Sequence, residues 1–69
     1  MEDQKHEFLA AVIDAYGQDD QRLNDWERGF MKDMKARFEK YGKGTYVSDK
    51  QWGVIKRVAE AYDLEIEQF

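Results

Sequence analysis

Three apolar stripes at helical spacing, set apart by two short polar connectors, constrain this chain more than any other feature of its sequence. In the first, Phe8, Leu9, Val12, Ile13 and Tyr16 recur at i, i+1, i+4, i+5 and i+8. At 100° per residue they fill one arc of about 140°. The spacing predicts a helix over 3–16, with Glu2, Asp3 and Glu7 at the positive end of its dipole. Ala11 and Ala15 flank the arc as small residues, and Gly17 stands where a helix-ending residue is expected. In the second stripe, Trp26, Phe30, Met31, Met34, Phe38 and Tyr41 share an arc of similar width.

Local start signals sharpen this reading. Asn24 with Glu27 three residues later forms a capping pair for a helix over about 24–41, which Gly42 and Gly44 close. Ser48 and Gln51 repeat the capping box, and Val47 and Trp52 occupy the two positions of a hydrophobic staple. That run is the most specific local signal in the chain and predicts a helix over 48–62, with Trp52, Val54, Ile55, Val58, Ala59 and Tyr62 inward. Past Tyr62 the acids oppose the negative end of a helix dipole, so an extended or frayed end is expected. The expected fold is one all-α, three-helix domain. Helices 24–41 and 48–62 form an antiparallel hairpin, and helix 3–16 packs across it or exchanges in a dimer.

Size and composition narrow the function. Sixty-nine residues without cysteine exclude a disulfide scaffold and leave no room for a cofactor-binding α/β enzyme. No apolar run reaches the length of a membrane span, and the start lacks the basic flank and apolar stretch of a signal peptide, so the expected compartment is the cytoplasm. His6 is the single histidine and reads as a solvated residue near the chain start. Ser48 is explained as a cap, and Asp19-Asp20 reads as a solvated turn in preference to a cation site. No catalytic residue, metal site or cofactor is expected.

Charge and aromatic content point to binding. Residues 1–27 carry eight acids and two bases, residues 28–57 three acids and nine bases, and residues 58–69 four acids and no base. A basic middle therefore lies between acidic ends, and the plain reading is that the two signs pair within one fold or across a dimer. Ten aromatics (four Phe, four Tyr, two Trp) are many for so small an interior, which predicts that some lie at a subunit or partner interface.

From Leu23 to Val58 the chain resembles a short helical motif of phage and bacterial proteins of DNA metabolism and of small phage reading frames. The carrying residues are Leu23-Asn24-Asp25-Trp26-Glu27, Phe30, and Val47-Ser48-Asp49-Lys50-Gln51-Trp52 with Ile55 and Val58. These are caps and core residues, so the resemblance implies a helix–turn–helix hairpin and a small, phage-encoded module more than it implies an activity.

The expected function is protein–protein interaction: binding, and modulation or inhibition, of a host or phage protein, with the chain itself a homodimer. Candidate partner contacts are Tyr46, Leu64 and Phe69, together with the acids Asp19 and Asp20, which could engage a basic surface or imitate nucleic acid. The competing reading is a nucleic-acid accessory module using Arg28, Lys32, Lys35, Lys43, Lys50, Lys56 and Arg57. It ranks second because the net charge is −4 and the connector after Tyr41 exceeds a standard helix-turn-helix turn.

Overall fold

Two reciprocal caps set the helix starts. Asn24 Oδ1 accepts from the Glu27 amide at 2.8 Å while Glu27 Oε1 accepts from the Asn24 amide at 3.1 Å. Ser48 and Gln51 repeat the exchange at 3.2 and 2.9 Å. Each box satisfies two backbone donors that a helix start leaves open.

The computed structural model describes residues 1–64. It is an all-α, three-helix domain: α1 spans Asp3–Gln18, α2 Asp25–Tyr41 and α3 Asp49–Ala61, with 3-10 turns at Asp20–Arg22 and Gly42–Gly44. No strand occurs among the described residues. Helix α1 packs against both α2 and α3. The first helix thus lies across the other two and joins them. Phe8, Leu9, Val12 and Ile13 of α1 meet Met31 and Met34 of α2 and Trp52, Ile55, Val58 and Ala59 of α3 in one core, closed by Leu23.

Three local features depart from the sequence expectations. Gly17 does not end α1, which continues to Gln18. The exit is made by extended Asp19, whose carboxylate accepts from the Gln21 amide at 3.1 Å and opens the following 3-10 turn. His6 is half-buried, its ring centroid 4.9 Å from that of Phe38, and is not a solvated residue. The tail expected to be extended or frayed past Tyr62 lies outside the described residues from 65 onward, and its first two residues close α3 instead. The Asp63 amide donates to the Glu60 carbonyl and the Leu64 amide to the Ala59 carbonyl, both at 3.0 Å, with Asp63 at φ 57°. That is a Schellman closure with aspartate in the left-handed position usually held by glycine.

Polar ties hold the connectors to the two ends of α1. At its start, the Met1 α-amino group donates to the Lys43 carbonyl and Lys43 Nζ donates to Asp3 Oδ1. At its end, the Tyr62 hydroxyl donates to the Asp19 carbonyl. Arg22 donates to the Ala61 carbonyl at 3.3 Å and lies 3.7 Å from Asp19 and 4.0 Å from Asp63.

Candidate functional site

The stripe on α2 is wider than the surface its neighbours cover. Met31 and Met34 are fully enclosed and Phe30 and Phe38 half-buried, while Trp26 and Tyr41, at the two ends of the helix, are 63% and 56% exposed. Periodicity assigned both to the interior. Met31 and Met34 lie in the core shared with α1 and α3, whereas Trp26 and Tyr41 stand at the edges of the arc, outside it. Trp26 stacks on Phe30 with ring centroids 5.7 Å apart and 13° between planes.

Beyond Tyr41 the chain turns at Gly42, whose φ of 55° favours glycine, and the Gly42 amide closes α2 on the Phe38 carbonyl. Thr45 is buried under this turn, its hydroxyl donating to the Gly42 carbonyl at 2.8 Å. That bond fixes the next residue, Tyr46, outward at 78% exposure, the highest of any large apolar side chain described. Tyr41 and Tyr46 wall an open hollow of about 550 Å³. Thr45 lines its base, Ala36 and Gly44 leave it room, and Arg37 and Lys40 stand on its rim.

The electrostatics along this edge alternate. Arg37 Nε lies 3.2 Å from Asp33 Oδ2, one turn earlier. Lys40 Nζ stands 5.3 Å from the Tyr41 ring centroid, within cation–π range, and has no carboxylate partner among the described residues. In order along α2, the exposed edge therefore carries an aromatic knob, an acid, two bases and an aromatic-walled hollow.

The other sequence candidates are dispersed. Leu64 is half-buried, packs against the core and closes the end of α3, where with Tyr62 and Asp19 it lines a second hollow of about 440 Å³. Asp19 is engaged by Gln21 and Arg22, and Asp20 is exposed at the start of its 3-10 turn. Phe69 lies outside the described residues. Among the basic candidates, Arg28 pairs with Asp25 and Lys43 with Asp3. Lys35 borders a hollow with Asp19 and Asp20. Lys32, Lys50 and Arg57 are exposed, and Lys56 is half-buried. Part of the basic middle is thus met by acids of the same fold. Among the described residues, no three metal-ligating side chains come together, and no helix is long and apolar enough to cross a membrane.

Among the described residues, two ionisations are displaced from their ordinary ranges. The hydrogen bond from Lys43, and then its charge, hold the Asp3 carboxyl below the usual carboxylate range. Burial, and then the carboxylates of Asp19 and Asp20, push the Tyr62 phenol up. Neither group borders the Tyr41–Tyr46 hollow.

Of the residues described along this edge, the sequence reading named Tyr46 as a candidate and did not name Trp26, Tyr41, Arg37 or Lys40. The available signal was the breadth of the α2 stripe, which carries four aromatics on one short helix. Comparison with family models, with curated proteins and with solved structures gives no significant match.

Proposed function

We propose that this chain is a protein-interaction module that binds a host or phage protein and modulates or inhibits it. The observation that carries this reading is the outward edge of α2. There, Tyr41 and Tyr46 stay in solvent around an open hollow, and Trp26 stays in solvent at the other end of the helix, although the core beneath is complete without them. Tryptophan, tyrosine and arginine beside a concavity are the composition of binding hot spots.

A photo-crosslinking residue at position 46 tests this in the source cell lysate. The expected result is a discrete protein adduct that is lost when Trp26→Ala or Tyr41→Ala is added and kept when Lys50→Ala is added. Adducts that survive both aromatic substitutions would remove the basis for the assignment. The nucleic-acid reading is less supported, because acids of the same chain engage Arg28 and Lys43. A steep salt dependence of binding to DNA or RNA, lost on Lys32→Glu with Lys50→Glu, would reverse the order.

A further inference from the structure

Tyr46 stands between two hollows. On one side is the hollow it shares with Tyr41; on the other, Tyr46, Val47 and Trp52 wall a smaller one of about 300 Å³, which Met1 and Lys5 also line. Thr45 lines both, so the two are adjacent, with Tyr46 as their common wall. The backbone between them is extended. Residues 45–48 lie in no helix or turn, and Thr45 and Ser48 have φ of −63° and −75° with ψ of 127° and 166°. The amides at the two ends of this stretch are engaged, Thr45 on the Gly42 carbonyl at 3.1 Å and Ser48 on Gln51 Oε1 at 2.9 Å. The Tyr46 and Val47 amides have no acceptor among the described residues. The surface also differs in sign from the whole chain. Arg37, Lys40 and Lys5 line the two hollows against one acid, Glu2, whereas the chain has a net charge of −4. Arg37 is met by Asp33 at 3.2 Å, but no described carboxylate pairs with Lys40.

We propose that this double hollow receives an extended acidic segment of the partner protein, with one apolar side chain in each hollow and a carboxylate at Lys40. The inference rests on reading this face as a binding surface and names the chemistry of its partner. The extended form follows from the connector. Tyr46 and Val47 offer the main-chain donors of a strand edge, and a second extended segment satisfies them by strand addition. Side chains two positions apart on such a segment point the same way, about 7 Å from each other. Alternate residues therefore straddle Tyr46, while the residue between them faces away. The larger hollow, walled by two tyrosines, suits an aromatic anchor, and the smaller suits an aliphatic one. The acidic character follows from the rim. A carboxylate beside the aromatic anchor gives Lys40 the counter-charge it lacks, whereas a basic segment is repelled there. A nucleic-acid strand fits less well, because its phosphates need a continuous run of cations. Here the smaller hollow carries Glu2 and the whole chain is anionic.

A random decapeptide display library, selected against the whole chain and counter-selected against Tyr46→Ala, tests this. The selected sequences are expected to be rich in Asp and Glu and to carry two apolar residues two positions apart. A synthetic peptide of their consensus then serves as the probe. Lys40→Glu is expected to weaken its binding by at least about tenfold. Arg57→Glu makes the same change of charge at an exposed residue that lines neither hollow, and should alter affinity by no more than about twofold. In amide NMR spectra the Tyr46 and Val47 resonances shift on titration and gain protection from exchange. Far-UV circular dichroism of Tyr46→Ala and Lys40→Glu confirms that the helices remain. Selection of basic or uncharged sequences, or no selection above the Tyr46→Ala background, overturns the proposal. So does a consensus peptide that binds Lys40→Glu as tightly as the wild type. Displacement of that peptide by oligothymidylate at physiological salt assigns the face to nucleic acid and overturns it as well. A lysate protein crosslinked at position 46 that the consensus peptide does not compete away overturns it too, while leaving the interaction reading in place.

Discussion

Asp63 occupies left-handed backbone space at φ 57°, a conformation that costs an L-residue about 1 kcal/mol and glycine almost nothing. Its carboxylate also sits at the negative end of α3, and its approach to Arg22 is a weak, exposed 4.0 Å contact. Asp63→Gly is therefore expected to raise unfolding stability by about 0.5–1 kcal/mol, read from urea titration at unchanged slope. Ser48→Ala has the opposite sign. It removes the acceptor for the Gln51 amide and should cost about 1 kcal/mol, with glycine at the same site costing only a few tenths. The sequence was most legible at this scale where the interacting residues are three apart. Both capping boxes could be read directly because everything they need lies within one turn. The Asp63 closure could not, because its usual sign is a glycine and the chain supplies none. Gly17 misled for the converse reason: a glycine after a stripe is a helix stop only where the backbone turns left-handed, and there it does not.

Helix α3 keeps a glycine in its interior for no visible packing reason. Gly53 is exposed, and a Cβ there would meet nothing within 4 Å. Gly53→Ala should strengthen α3 by about 0.5–1 kcal/mol, seen as a rise in thermal midpoint with no change in far-UV spectrum. The three helices themselves were legible as elements, because periodicity reports which residues can share a face. It does not report how much of that face a neighbour covers. On α3 the stripe and the buried set nearly coincide, with Val54 and Tyr62 only half-buried. On α2 they do not. The arc from Trp26 to Tyr41 runs the whole length of the helix, whereas the enclosed residues are confined to Met31 and Met34. The candidate site lies in that difference. Sequence alone named one part of it, Tyr46, as an aromatic in excess of what so small a core can hold.

At the scale of the whole molecule, the two displaced ionisations sit at opposite ends of α1 and give the fold two pH limits. Asp3 ionises more readily in the fold than in the open chain, so its pairing with Lys43 contributes fully above the ordinary carboxylate value of about 4 and is lost as pH falls below it. The Tyr62 phenol holds its proton more tightly in the fold, so its contribution is intact below about pH 10 and is lost as pH rises beyond that. Thermal midpoints measured from acid to alkaline pH should fall at both ends. Asp3→Asn is expected to flatten the acid limb and Tyr62→Phe the alkaline one. These ties join residues about forty positions apart in sequence. Neither was legible beforehand, since composition shows only that acidic ends and a basic middle exist. The plain expectation that they pair with one another is met at Asp3–Lys43.

The position of α1 across both other helices bears on how the molecule opens. Most small folds permit partial openings, in which one element frays while the remainder keeps its protection. Here the first helix supplies the surface against which both later helices are buried, and its undocking uncovers Met31 and Ile55 together. The slowest-exchanging amides of α1, α2 and α3 should therefore share a single opening free energy, equal to that of global unfolding. Native-state hydrogen exchange should show one cooperative unit, with lower protection confined to the connectors and the helix ends.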